Sequence, residues 1–184
     1  NNGIQAKGEK VTIDGKDYYY DKDNGRKVTK AGFVKDNRGL TYYLDEKGNK
    51  VLGLHEINGD LYYFRRGGAY KYTQLGDMWQ DSINYIDGKI YYFGHDGRAI
   101  KNRFYQWGNY WYYFYADGSA ATGAVQINGQ QLYFDKNHGR QVKGAFAPDG
   151  HYYDENSGEL VTNQTRTIKG VTYHFDENGN ATKV

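Results

Sequence analysis

The feature that most limits what this chain can fold into is a phrase written eight times: a glycine, an aromatic run, then a second glycine. "INGDLYYF" at 57–64 returns as "IDGKIYYF" at 86–93 and as "INGQQLYF" at 127–134. Aligned on the first glycine, the repeats begin at Gly15, Gly39, Gly59, Gly88, Gly108, Gly129, Gly150 and Gly170, in steps of 24, 20, 29, 20, 21, 21 and 20 residues. The second glycine follows at Gly25, Gly48, Gly68, Gly97, Gly118, Gly139, Gly158 and Gly179. A segment of about 20 residues cannot bury a face by itself, so each repeat must cover its neighbour.

Asn-Gly and Asp-Gly supply the positive backbone dihedrals of tight turns, which makes each repeat two short strands and two turns. In the sixth repeat, "INGQQLYFDKNHGRQVKGAFA", the reading is a turn at Asn128-Gly129, a strand over Gln131 to Asp135, a turn over Asn137 to Gly139 and a second strand over Arg140 to Lys143. No helical period competes with it. The expected fold is all-β: a β-solenoid of stacked two-stranded hairpins of about 20 residues each, one module over 1–184, about eight units cut from a larger protein. The longer step is assigned to a loop around "GDMWQDSI", 76–83.

Strand alternation sorts the side chains. The last position of the aromatic run (Tyr20, Leu44, Phe64, Phe93, Phe114, Phe134, Phe175) and the position two earlier (Tyr18, Tyr42, Tyr62, Tyr91, Tyr112, Leu132, Tyr173) accept leucine and are read as inward. The position between them (Tyr19, Tyr43, Tyr63, Tyr92, Tyr113, Tyr133, His174) accepts histidine and no aliphatic, and is read as an exposed aromatic column. After the second glycine, Val28, Val51, Ile100, Val142 and Val161 point in, while Lys27 and Thr29, or Gln141 and Lys143, point out. With 21 tyrosines, one proline and few aliphatics, the core should be thin and locally assembled.

Charge is close to balanced, 24 Lys plus Arg against 22 Asp plus Glu in scattered order, which argues against nucleic acid as a partner. Zero cysteines remove disulfides and thiolate metal sites. No apolar run approaches the length of a membrane span. Asp21, Asp45, Asp135, Asp154 and Asp176 recur before turns, where a carboxylate caps backbone amides, and so are not a catalytic pair. His55, His95, His138, His151 and His174 have no metal-ligand spacing. No cofactor, metal or catalytic residue is assigned, and the chain is read as a monomeric binding module.

A tyrosine or tryptophan ring can stack on the C–H face of a sugar while nearby amide and ammonium groups bond its hydroxyls, and repeating sites suit a repeating polymer. "INGQQLYFDKNHGRQVKGAF" and "PDGHYYDENSGELVTNQTRTIKGVTYHFDENGNA" resemble the glucan-binding repeats in the C-terminal region of glucansucrases, secreted glucosyltransferases, and the resemblance covers almost the whole chain. It implies a β-solenoid that binds α-glucan of the dextran type outside the cell, at the cell surface. In that family a sugar pocket draws an aromatic platform and a Gln-x-Lys pair from adjacent hairpins. Here the pair is complete once, as Gln141 and Lys143, whereas Lys27/Thr29, Lys50/Leu52, Ala99/Lys101 and Ala120/Thr122 depart from it. The expected site is Tyr105, Trp107, Trp111, Tyr113, Tyr133, Gln141 and Lys143, with the long third repeat around Tyr70, Tyr72 and Trp79 as the other location. Choline-binding repeats and clostridial toxin repeats share the pattern and remain alternatives. Choline sites need an aromatic cage, commonly with a Trp in every repeat, and this chain has only Trp79, Trp107 and Trp111.

Overall fold

The computed structural model describes residues 6–67 and 75–184, so Gly68, Tyr70 and Tyr72 lie outside the described residues. The described residues form strands and no helix. Consecutive strands pair into hairpins: β1 (Lys10–Ile13) with β2 (Lys16–Tyr19), β3 (Gly32–Lys35) with β4 (Thr41–Leu44), and β5 (Gly53–Ile57) with β6 (Asp60–Phe64). They continue with β7 (Ser82–Ile86) and β8 (Lys89–Phe93), β9 (Arg103–Trp107) and β10 (Tyr110–Phe114), and β11 (Gly123–Ile127) and β12 (Gln130–Phe134). Last come β13 (Ala145–Phe146) and β14 (Tyr152–Tyr153), and the three-stranded β15 (Gln164–Ile168), β16 (Val171–Phe175) and β17 (Ala181–Lys183). The all-β hairpin repeat is therefore the fold. The chain divides into two compact bodies, Asn1–Ile83 with Tyr92–Ala99, and Asn84–Tyr91 with Ile100–Val184.

The hairpins straddle a different turn from the one expected. Asn128 and Gly129 both have positive φ, 52° and 85°, and join β11 to β12 with Ile127 opposite Gln130. This is the two-residue turn whose twist matches the strands it joins, so it holds five cross-strand pairs, from Gly123 with Phe134 onward. The strand before the first glycine, ending in Ile57, Ile86 or Ile127, is thus the true partner of the aromatic strand, and all three isoleucines are buried. The expected second strand, Arg140 to Lys143, is reduced to one bridge, Gln141 with Phe134.

The reason lies in where the amides of that segment go. Successive amides of an extended chain point to opposite edges. In the sixth repeat Val142 N–H donates to Tyr133 of its own hairpin at 2.8 Å, and Gln141 N–H donates to Trp111 of the preceding hairpin at 2.8 Å. The same joint recurs in the second body as Ala120 to Ile90 and Leu160 to Gln131, both 2.8 Å, and in the first body as Met78 to Thr41 at 2.7 Å and Ala99 to Leu61 at 2.8 Å. A bridging segment shared between two hairpins cannot extend a ladder with either one.

Small separate cores fill the junctions, as the composition requires. Ile57, Tyr62 and Phe64 form one with Tyr43, Val51 and Met78. Ala121, Ile127, Leu132 and Phe134 form another with Phe104, Tyr113 and Val125. The two inward classes hold from the second repeat to the sixth, where Leu44, Phe64, Phe93, Phe114 and Phe134 and, two positions earlier, Tyr42, Tyr62, Tyr91, Tyr112 and Leu132 are buried; Phe175 is buried too, while Tyr18, Tyr20 and Tyr173 are half-buried. The exposed column does not hold. Tyr92 and Tyr133 are buried, Tyr19, Tyr43, Tyr63 and Tyr113 are half-buried, and only His174 is exposed. A two-stranded ribbon is so narrow that its second face is also covered: Val142 and Leu160 of bridging segments, with Ala147 and Tyr153, close over Tyr133.

Candidate functional site

Gln141, Lys143 and Trp111 converge, and the backbone joint brings them together. Because Gln141 N–H is tied to the Trp111 carbonyl, the side chains of the bridging segment lie beside the tryptophan of the preceding hairpin. The Lys143 ammonium stands 5.9 Å from the Trp111 ring centroid, and the indole is 38% exposed. From the other side comes the turn of the seventh repeat. Lys143 Nζ donates to the Asn156 carbonyl at 2.8 Å and Gln141 Nε2 to the Ser157 carbonyl at 3.3 Å. Gly158 completes the contact: its φ is +73°, and a Cβ there would overlap the Gln141 amide and fall 3.1 Å from Lys143 Cγ.

Asp154 fixes that turn. Its Oδ1 accepts the amides of Asn156 and Ser157, both at 2.8 Å, and its Oδ2 accepts Arg166 Nη1 at 2.6 Å. The Ser157 amide first, then the Arg166 guanidinium, hold the Asp154 carboxyl well below the usual carboxylate range. The carbonyls of 156 and 157 are thereby presented to the bridging side chains. Hydrogen-bonding capacity is left over. An ammonium has three donors, of which Lys143 uses one here, and a primary amide offers an oxygen and two N–H groups, of which Gln141 uses one N–H.

The other expected residues fall elsewhere. Directly opposed residues of an antiparallel pair share a face. Trp111 opposes Gln106 and Tyr113 opposes Phe104, which puts these four on one face of the β9–β10 hairpin. Tyr113 lies inward of Trp111, edge-on to Phe104 with 5.0 Å between centroids. Trp107, opposite Tyr110, and Tyr105, opposite Tyr112, occupy the other face. Tyr133 is 2% exposed and packs 5.7 Å from Tyr153, so its ring is unavailable to a ligand in this structure. The sequence reading passed over Tyr110 and Arg140, whose guanidinium carbon stands 4.1 Å from the Tyr110 ring centroid. A signal was there, since Arg140 immediately precedes the bridging Gln141. Trp79 packs tilted against Tyr63, with 4.8 Å between ring centroids, a contact within the first body. Among the described residues no group of three or more His, Cys, Asp or Glu could hold a metal ion, and no helix is long and apolar enough to cross a membrane.

The family of choline-binding repeats matches residues 1–31 and 121–164, and that described as "Putative cell wall binding repeat" matches 31–50, 102–120 and 166–181. Repeats of these two kinds together match most of the chain. The candidate cluster of this repeat region takes Trp111 from a segment of the second kind, and Gln141, Lys143 and the 154–158 turn from one of the first. The region is 38% identical to glucosyltransferase-S of Streptococcus mutans serotype c, over 97% of this chain and 12% of the relative. It is 34% identical to glucosyltransferase-I of Streptococcus downei, over 98% of this chain and 14% of the relative. Among solved structures, choline binding protein F from Streptococcus pneumoniae superposes with a TM-score of 0.73 at 26% identity, covering 96% of this chain and 57% of that one. The repeat region thus spans about an eighth of the length of the glucosyltransferases it matches, and it is a non-catalytic binding module.

Proposed function

We propose that this repeat region binds a neutral α-glucan of the dextran type and so tethers a secreted glucosyltransferase at the cell surface to its polymer. The observation that carries this is the Trp111–Gln141–Lys143 cluster, an exposed indole beside spare amide and ammonium donors. A pyranose stacked on the indole would take hydrogen bonds from Gln141 and Lys143. The relatives' glucosyltransferase names support a glucan as the polymer.

Choline is the second reading, favoured by the choline-binding repeat match. It meets an electrostatic obstacle here. A quaternary ammonium needs a free aromatic face. Several of these faces already carry a cation of the chain: Lys27 is 3.7 Å from the Tyr18 centroid, Lys50 is 3.5 Å from Tyr42, and Arg140 is 4.1 Å from Tyr110. A second cation would be repelled from them.

The test is calorimetric titration of the chain with dextran, with choline as competitor. Trp111→Ala, and Gln141→Ala together with Lys143→Ala, are each expected to weaken dextran binding by about 1–3 kcal/mol with the melting temperature retained. Choline should not compete, and because the polymer is uncharged the affinity should change little with salt. Unchanged dextran affinity in a folded double mutant would remove the cluster as the site, and displacement by choline would favour the second reading.

A further inference from the structure

The first body holds a groove of about 620 Å³ whose chemistry differs from that of the Trp111 cluster. Lys50 occupies the bridging position there, paired with Leu44. Its ammonium stands 3.5 Å from the Tyr42 centroid and 5.5 Å from that of Tyr19, and donates one hydrogen bond, to the Leu75 carbonyl at 3.3 Å. The side chain is half-buried, and burial pushes its pKa down, the mark of a cation short of compensation.

Asp36 and Asp77 offset that burial only in part, because each is committed to an arginine. Asp36, in the groove lining, is held by Arg38 Nη2 at 2.6 Å, by the Tyr42 hydroxyl at 3.1 Å, and by the amides of Arg38 and Leu40 at 3.0 and 2.9 Å. Asp77 is buried beside Arg65, 3.2 Å from its Nε. Glu9 is the remaining acid of the lining, against Lys10, Lys35 and Lys50. The groove therefore has a cationic excess, with an ammonium in a partly desolvated place where a charge-assisted bond to an anion is stronger than one to a neutral hydroxyl. Its volume falls in the range of ligand pockets and leaves room for more than a lone small ion.

We propose that this groove is an oxyanion site, taking a phosphate or carboxylate group carried on an anionic polysaccharide, with Lys50 as the principal contact. The module would then hold two kinds of polymer, a neutral one at Trp111 and an acidic one here. The second assignment does not depend on the first.

The experiment titrates the whole chain with three probes: linear polyphosphate, polygalacturonate and neutral dextran. Lys50→Met tests the contact. The bridging position of the next repeat is Met78, paired with Phe64 as Lys50 is with Leu44, so methionine is accommodated at this position, and a melting curve checks that the variant is folded. At least one anionic probe is expected to bind, and which one binds identifies phosphate or carboxylate as the source of the oxyanion. Its affinity should fall about tenfold or more in Lys50→Met and fall with added salt, while dextran binding by the same variant stays unchanged. Absence of binding by both anionic probes overturns the proposal. So does equal binding by Lys50→Met, which would mean diffuse surface attraction, or displacement of the anionic probe by dextran, which would make the groove a second neutral-sugar site.

Discussion

Asp154 shows how one carboxylate can organise a site it does not touch. Without its bonds to the amides of Asn156 and Ser157, the carbonyls that receive Lys143 and Gln141 would lose their orientation. Asp117 plays a related part, its pKa lowered to about 2 first by the Ser119 hydroxyl, with Lys89 Nζ bound at 2.9 Å. A carboxyl whose folded pKa is depressed contributes stability above its unfolded value of about 3.9, and that contribution is lost as pH falls through this value toward the folded one. The melting temperature should therefore hold nearly level from pH 7 to about 5 and decline below about 4. In Asp154→Asn it should start lower at pH 7 and decline less steeply in acid, as thermal melts across pH would record. A wild-type melting curve indifferent to pH down to about 2 would contradict this role. The capping was legible in the sequence, because Asp21, Asp45, Asp135, Asp154 and Asp176 recur before glycine turns, and each has a carboxylate oxygen accepting backbone amides. The fate of Tyr133 was not. Alternation says which side of a ribbon a ring leaves from, and nothing about what a later segment lays over it.

At the level of the element, the hairpin was half legible. Asn128-Gly129 announced the turn, but the reading started its strand after the glycine and left Ile127 out, although a two-residue turn requires strands on both sides. The bridging segment was misread as a strand because its identity lies in backbone amides. Lys50, Met78, Ala99, Ala120, Gln141 and Leu160 all stand at the same position, and no side-chain pattern reveals the joint. At Gly97, Gly158 and Gly179 the second glycine of the repeat is a sensitive point of this joint, because an added Cβ would press on the bridging Met78, Gln141 or Leu160. Gly158→Ala must tolerate a positive φ of 73° and a methyl overlapping Gln141. The cost expected is about 1–3 kcal/mol of stability, read by denaturant melts, together with weakened dextran binding because Gln141 is displaced. Gly129→Ala is the control, because nothing lies within 4 Å of its added Cβ: it should show the backbone strain and leave binding unaltered.

For the whole molecule, cores divided among junctions predict divisible folding. Tyr152, Val161 and Phe175 form one core with Ile168, Tyr173 and Ala181, apart from that of Leu132 and Phe134. Removal of residues 144–184 should leave a chain that melts cooperatively at a lower temperature with a β-type circular dichroism spectrum. It should also bind dextran more weakly, because Lys143 and Gln141 lose the carbonyls of Asn156 and Ser157. A truncated chain with the spectrum of a random coil would show that the junction cores are not independent. A last consequence concerns ancestry. Since neighbouring hairpins are fastened by a main-chain amide and a main-chain carbonyl, Gln141 to Trp111 here and Met78 to Thr41 elsewhere, the fastening is the same for any donor residue except proline. A gene built this way can gain or lose one repeat's length of coding sequence by unequal crossing-over and still encode matching edges at the new seam, while the side chains at each seam drift toward different ligands.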